Sequence, residues 1–117
     1  MPGKKFNPTG YNRRVTVQTR TVVNGESVWY ADDSYDVWAC VSPFRGREYI
    51  AAGALSAPEI ITVKTWYRDN VNAEDNRLVY GGKVFNIENV VDVDAAHREM
   101  ELTCTEEIGA VMAIPRP

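Results

Sequence analysis

Apolar and polar residues alternate along several short stretches of the chain, and this pattern is typical of half-buried β-strands. In residues 14–21, one side of the predicted strand carries Val15, Val17, Thr19 and Thr21. The same kind of pattern predicts strands in residues 35–42, 59–67, 77–80, 83–91 and 99–105. Residues 35–42 are apolar on both sides, so we expect that strand to be covered on both faces.

Turn-forming residues separate these stretches. Asn24 and Gly25 supply the positive φ angles of a tight turn, so residues 22–30 are predicted to form a hairpin or a protruding loop. Gly81 and Gly82 predict a second hairpin. The polar residues 32–34 and 92–96 predict two further turns.

Residues 44–57 form the one segment whose composition suits a helix. Its alanines and its leucine favour a helix, but Gly46 and Gly53 each cost about 1 kcal/mol relative to alanine. We therefore expect a short or conditional helix there.

The predicted fold class is mainly β. The chain holds 15 Val, 6 Ile and 8 Thr against 3 Leu, and β-branched residues pack well on sheets. Short strands must hide their unpaired edges, and a small closed barrel does so. We therefore predict a small antiparallel β-barrel of about six strands, with the short helix in the long connection between strands 2 and 3. A two-layer sandwich is the alternative. At 117 residues we expect a single domain: a basic arm (1–13), the barrel (14–107) and a flexible tail (108–117).

Basic residues are concentrated at the N-terminus. The net charge is -3, but the first 25 residues carry +5 and the remaining 92 carry -8. A basic arm on an acidic body favours contact with an acidic partner surface or with a neighbouring copy of the chain. A solvated terminal tail is the alternative. We expect contacts with neighbouring copies or partners at Lys4, Lys5, Arg13, Arg14, Arg20, Asn24, Gly25 and Trp29.

The sequence contains no arrangement of residues characteristic of a catalytic or phosphate-binding site. His97 follows Asp92 and Asp94, but aspartates are usual in turns, so we expect no metal site there. Cys40 and Cys104 fall in predicted strands and are expected to be small buried hydrophobic residues rather than a disulfide. We therefore predict no catalytic, cofactor-binding or metal-binding residues, and a protein that is not an enzyme.

Composition also bears on membranes and nucleic acids. No apolar run approaches about 20 residues, and the N-terminus lacks the apolar core of a secretory signal, so we expect a cytosolic site of synthesis and no membrane partner. Trp29, Tyr30, Trp66 and Tyr67 could stack on bases, as in an OB-like module that binds single strands. A pI near 5.1 argues against that function, because nucleic-acid binders are usually basic.

Six short motifs occur in order between residues 13 and 107. They are RVTVQ at 14–18, VWACV at 37–41, GREY at 46–49 with two alanines at 51–52, ITVKTWY at 61–67, RLVYGGKVFNI at 77–87 and MELTCTE at 100–106. In this order they resemble the tailed-bacteriophage head-to-tail joining family, the head-closure or stopper proteins. One departure is visible: the family commonly places an arginine just before the aromatic residue of the middle strand, whereas Lys64 and Thr65 precede Trp66 here and Arg68 comes after Tyr67.

The resemblance implies a small β-barrel that assembles as a ring of identical copies beneath the portal and its adaptor. Such a ring closes the DNA-filled head and receives a tail protein on its other face. By position, residues 44–57 would project into the channel and help hold packaged double-stranded DNA; a static helix capping the barrel is the alternative. The candidate residues of this channel segment are Phe44, Arg45, Gly46, Arg47, Glu48, Tyr49 and Gly53.

The resemblance also implies where the protein acts. It would be a virion protein at the head-to-tail interface, assembled in the cytoplasm of the bacterial host. Two alternative functions stay open: tail completion, as a tail-terminator protein, and the OB-like binding of single-stranded nucleic acid.

Overall fold

The computed structural model describes residues 10–43 and 58–117, and nearly all of their regular structure is β. The six strands are β1 (Arg13–Val23), β2 (Glu26–Pro43), β3 (Ile60–Trp66), β4 (Asn76–Tyr80), β5 (Lys83–Asp92) and β6 (Glu99–Glu106). A short 3-10 turn, Val93–Ala95, joins β5 to β6. The prediction of a mainly β chain is confirmed.

All six strands form one antiparallel sheet that closes on itself, hereafter the closed sheet. Its order is β1-β2-β3-β6-β5-β4, and β4 pairs with β1 to complete the ring of strands. This last seam runs from the pair Thr16 and Val79 to the pair Thr19 and Asn76. Closure pairs both long edges of every strand within the ring, which a sandwich of two open sheets would not do.

The short helix predicted between strands 2 and 3 falls on residues 44–57, which lie outside the described residues. In the part of the chain that the structure describes, no helix has the length and hydropathy needed to span a bilayer.

Inward-facing side chains fill the closed sheet. Alternate residues of β3 (Ile61, Val63, Thr65) and of β6 (Met100, Leu102, Cys104) are buried, as expected for strands with one face on the core. The largest fully buried side chains are Phe85, Leu78, Met100, Leu102, Val15, Val63 and Cys104.

Both cysteines are free thiols. Cys104 is fully buried between its strand partners Ile61 and Ile87, and this burial raises its pKa from 9.0 to about 12, with a smaller contribution from the charge of Glu88. Because the thiolate is the reactive form, Cys104 is chemically inert in the folded chain. Cys40 is only partly buried, so the prediction of two buried cysteines holds for Cys104 alone.

Beyond the closed sheet, β1 and β2 continue as a two-stranded ribbon, residues 20–33. Only residues 16–19 of β1 pair with β4, and only residues 39–43 of β2 pair with β3. At the tip of the ribbon, Asn24 (φ 53°) and Gly25 (φ 81°) make a two-residue turn. The predicted hairpin is confirmed.

The turn predicted at residues 32–34 is wrong, because β2 continues through it. The polar residues instead occupy a bulge, where the pairing of β1 with β2 shifts. Gln18 pairs with Ser34 but Arg20 pairs with Trp29, so one residue of β1 faces four residues of β2. Asp32 and Asp33, whose residue type is suited to a turn, therefore lie in an irregular part of β2.

Both ends of the described chain contact this framework. Tyr11 is buried, so the folded body begins before β1 and overlaps the arm that we placed at residues 1–13. At the other end, Ile114 forms a parallel bridge with Tyr30 of the ribbon. We call residues 108–117 the C-terminal segment; its predicted flexibility in solution stays a prediction.

Phe85 tests how much the core of the closed sheet stabilises the fold. Its side chain is 1% exposed, so Phe85→Ala removes buried apolar surface and leaves a cavity. We expect the free energy of unfolding, measured by denaturant titration, to fall by about 3–5 kcal/mol. Val91→Ala, at an exposed position of the same strand, should change it by less than about 0.5 kcal/mol. Equal losses in the two variants would contradict this assignment of the core.

Candidate interaction surfaces

Two tryptophans lie side by side on the outer face of the closed sheet. Trp38 is 52% exposed and Trp66 is 50% exposed. Ala39 pairs with Thr65 at the end of the paired part of β2 and β3, and the neighbouring residues Trp38 and Trp66 line the same cavity. Large aromatic side chains that stay half in water are unusual and are enriched where proteins contact partners.

A row of outward-facing residues crosses four strands through this pair. Arg14 of β1 pairs with Trp38, and Trp66 pairs with Glu99 of β6. We call Arg14, Trp38, Trp66 and Glu99 the aromatic row. It places two apolar rings between a cation and an anion, which is a suitable composition for a protein contact surface.

A cavity of about 690 Å³ lies beside the aromatic row. Its floor includes Tyr11, whose ring meets the Trp66 ring edge-on with the centroids 4.8 Å apart and whose hydroxyl donates to the Glu99 carboxylate. The described residues that line it are Tyr11, Asn12, Asp36, Val37, Trp38, Thr65, Trp66 and Arg68.

Polar contacts hold this surface in one arrangement. The Arg14 guanidinium lies 4.8 Å from the centre of the Trp38 ring, and its Nη1 is 3.9 Å from Asp36 Oδ2. Asp36 also accepts a 2.7 Å hydrogen bond from Thr16 Oγ1. Because these groups are exposed, the ion pair contributes little stability and mainly orients the side chains.

The exposure of Trp38 corrects one prediction. We expected both faces of residues 35–42 to be covered because both are apolar. Val37 and Ala39 do face the core, but Trp38 on the other face is half in water. An apolar outer face that the chain does not cover is a candidate for contact with another molecule.

A second surface is built around a buried arginine, Arg77 of β4. Its side chain is held by a 2.7 Å hydrogen bond from Nε to Gln18 Oε1, and its guanidinium lies 4.4 Å from the centre of the Trp29 ring. Burial lowers the pKa of Arg77, while the charge of Glu107 acts in the opposite direction. Arg77 therefore links the closed sheet to the ribbon.

The same guanidinium holds the C-terminal segment. Arg77 Nη2 donates a 2.8 Å hydrogen bond to the carbonyl oxygen of Val111. Farther along, Ile114 N donates to Trp29 O at 3.0 Å and Ala31 N donates to Ile114 O at 2.8 Å. The C-terminal segment thus contacts the ribbon through one parallel bridge, centred on Ile114.

Near its end, the C-terminal segment is held by side chains. Arg116 donates from Nη2 to the Asp33 carboxylate, and its guanidinium lies 4.4 Å from the centre of the Tyr30 ring. We call the ribbon surface that receives the segment, formed by Trp29, Tyr30, Ala31 and Asp33 together with Arg77, the seat.

Six of the eight predicted contact residues lie in the described part of the chain, at the start of β1 or on the ribbon. Arg13 and Arg14 are exposed at the start of β1, and Arg14 belongs to the aromatic row. The other four, Arg20, Asn24, Gly25 and Trp29, lie on the ribbon. Because a strand rises about 3.3 Å per residue, Arg14 and Arg20 are about 20 Å apart.

Arg20 and Trp29 are already engaged within the chain. Arg20 forms ion pairs with Glu74 at 3.7 Å and Asp75 at 3.2 Å, and the Trp29 ring packs on Arg77. The remaining predicted sites lie outside the described residues: Lys4, Lys5, Phe44, Arg45, Gly46, Arg47, Glu48, Tyr49 and Gly53.

His97 and its neighbouring aspartates form a turn. Asp92 accepts from the His97 backbone N–H at 2.9 Å and contacts the imidazole Nδ1, while the ring stacks on Tyr67 with the centroids 4.7 Å apart. Within residues 10–43 and 58–117, no group of three His, Cys, Asp or Glu side chains is placed to hold a metal ion.

Sequence reasoning missed four residues that build these surfaces: Trp38, Tyr11, Arg77 and Arg116. The exposure of Trp38 could have been suspected from the sequence, because one of the two apolar faces of residues 35–42 can point away from the core. Nothing in the local sequence indicated the burial of Arg77, because it depends on Gln18, 59 residues away along the chain.

These features define a small β protein whose aromatic and charged surfaces are suited to binding other macromolecules. The chain belongs to the phage head completion protein family, whose sequence model matches residues 6–107. It is therefore a structural protein of phage head completion, and the resemblance seen in the sequence is confirmed.

Several solved structures are similar to the chain, including these two. One is the solution structure of protein SF1141 from Shigella flexneri 2a, with 29% identity, a TM-score of 0.61, and coverage of 85% of this chain and 95% of that one. The other comes from the virion of a native gene transfer agent particle, with 18% identity, a TM-score of 0.62, and coverage of 85% and 96%. The second likeness supports the fold. Among curated proteins, none matches the chain.

Arg77 tests how the seat is held together. Arg77→Met would leave Gln18 Oε1 and the Val111 carbonyl without their donor, and an unpaired buried polar group costs about 1–3 kcal/mol. We expect lower stability and faster hydrogen exchange at the amides of Ala31 and Ile114. Lys83→Met, which removes an exposed ion pair with Glu59, is the control and should leave those two amides unchanged. Unchanged exchange in Arg77→Met would contradict the linking role of Arg77.

Proposed function

We propose that the chain assembles as a homo-oligomeric ring beneath the portal and its adaptor, closes the DNA-filled head and provides the docking surface for the tail. The observation that carries this proposal is the family match, which extends over residues 6–107 and so includes the whole closed sheet. The role is structural, with no catalytic step and no cofactor. By this proposal, the protein acts at the head-to-tail interface of the virion after assembly in the host cytoplasm.

The separation of the two surfaces supports a ring. A closed ring of identical copies needs heterologous contacts, in which one patch of each copy meets a different patch of the next. The aromatic row and the ribbon are such a pair of different patches on one subunit. In the proposed ring, a small β-barrel carries both and keeps the distance between them constant.

The place of residues 44–57 in the sequence, directly after the end of β2, supports the proposal of a channel role for them. They follow Pro43, whereas the ribbon forms the opposite end of β2. We propose that this connection faces the packaged double-stranded DNA while the ribbon faces neighbouring proteins. A helix that caps the barrel is the alternative for the same residues.

Tail completion is the second candidate function, and it would use the same exposed surfaces. Single-strand binding is less well supported by the geometry. Trp29 and Tyr30 lie on the ribbon, with their rings covered by arginines, and Trp66 and Tyr67 follow one another at the end of β3. Two pairs of aromatic residues on different parts of the fold do not form one stacking groove.

Imaging of particles that lack the protein separates head closure from tail completion. Head closure predicts heads that package DNA, then leak it, and carry no tails. Expression of the full chain in trans should restore tailed particles. Free tails with abnormal ends, beside filled and stable heads, would contradict head closure and favour tail completion.

The aromatic row gives a residue-level prediction. Trp38→Ala combined with Trp66→Ala removes two exposed rings that are suited to be hot spots, each typically contributing about 2 kcal/mol or more to an interface. We expect the double variant to fold but to yield at least about tenfold fewer tailed particles in the complementation assay.

Val91→Ala is the matched control, because Val91 is also an exposed apolar residue on the outer face of a strand. It should complement as well as the unmodified chain. Circular dichroism and a thermal melt establish that all variants are folded. Full complementation by the tryptophan variant would show that the aromatic row is not an assembly contact.

A further inference from the structure

The C-terminal segment and its seat are two matching parts that every copy of the chain carries. The seat offers two backbone groups, Trp29 O and Ala31 N, and the Asp33 carboxylate. The segment supplies Ile114 N, Ile114 O and the Arg116 guanidinium. Nothing in these contacts requires the segment and the seat to belong to the same chain.

The segment gains little apolar burial from its own chain. Its four large apolar side chains remain 44–73% exposed: Ile108, Val111, Met112 and Ile114. Four such side chains in the seven residues 108–114 are a larger apolar surface than a solvated terminus needs, and their burial would stabilise a complex.

We propose that in the assembled ring the C-terminal segment leaves its own seat and occupies the seat of the neighbouring copy. This inference rests on the proposed ring. Each copy then donates one segment and accepts one, which is the heterologous contact that closes by rotation. Exchange preserves the hydrogen bonds and the ion pair of the segment. The additional contact that it creates between two copies is what buries the apolar side chains left exposed on the segment's own seat, and this burial favours the exchanged state.

The chain has a hinge at the right place for this exchange. The segment leaves β6 through a turn in which Ala110 N donates to Glu107 O at 3.3 Å and Gly109 adopts a φ of +82°. Glycine adopts this positive φ angle without steric cost, and because it has no side chain the backbone of the turn can change conformation. A change in the backbone angles near Gly109 redirects the whole segment.

The same segment limits the exchange to one strand per seat. Pro115 and Pro117 have no backbone N–H, so the bound segment offers few donors to a further chain. Growth by repeated strand addition is therefore blocked, as closure of a ring requires.

Charge reversal of the pair formed by Asp33 and Arg116 tests the exchange. The single variants Asp33→Arg and Arg116→Asp each place like charges together, and each should reduce tailed particles in the complementation assay by about tenfold or more. The double variant carries the reversed pair in one chain and should restore assembly. Co-expression of the two single variants should also restore it, because each defective segment then finds an opposite charge on the seat of the other variant.

The co-expression result decides between exchange and retention. If the segment stays on its own chain, the double variant is restored but the mixture of single variants stays defective, and the exchange is overturned. Failure of both the double variant and the mixture would also overturn it. In either case the proposed function stands as long as the unmodified chain complements the knockout.

A matched pair elsewhere on the surface provides the control. Lys83 and Glu59 form an ion pair at 2.9 Å between β5 and the start of β3, away from the ribbon. The single reversals Lys83→Glu and Glu59→Lys should leave the number of tailed particles unchanged. A loss in these controls equal to that in Asp33→Arg would show that the charge change itself, and not the seat, is responsible.

Discussion

The closed sheet is completed at the seam between β1 and β4, and Arg77 lies buried in that seam. A guanidinium out of water must keep its hydrogen bonds, because an unpaired buried polar group is costly. Its Nε binds the side chain of Gln18 across the seam, and its Nη2 binds the backbone of the C-terminal segment. Asn76 reinforces the same place by donating to Gln18 O at 3.3 Å and Thr19 Oγ1 at 3.1 Å.

This polar cluster connects the stable part of the molecule with the part suited to assembly. The core of the closed sheet is apolar and comes from every strand. The ribbon, in contrast, pairs mainly with itself. Its side chains attach it to the rest of the molecule through the Trp29 ring packed on Arg77 and through the ion pairs of Arg20 with Glu74 and Asp75. A change at Arg77 therefore reaches both the closure of the sheet and the geometry of the seat.

Alternation was sufficient to predict most of the strands and their inward faces. In β6, for example, Met100, Leu102 and Cys104 follow a strict period of two, and their burial depends only on that local pattern. The tight turns at Asn24 and Gly25 and at Gly81 and Gly82 were also predictable, because each sequence favours positive φ angles.

The remaining features depend on contacts between distant residues. The bulge of β2 follows from the pairing of Arg20 with Trp29, which no local pattern indicates. The exposure of Trp38 depends on what covers that face of β2. The place of the C-terminal segment depends on Arg77, Asp33 and the ribbon together, so composition alone suggested only a flexible tail.

The central claim is that the closed sheet carries two assembly surfaces into the joint between head and tail. An electron cryomicroscopy reconstruction of that joint in the intact particle tests it most directly. The account predicts a ring of copies of this chain next to the portal side, with the aromatic row and the seat each buried against another protein chain. Density for this chain with both surfaces facing solvent, or a joint built without it, would contradict the account.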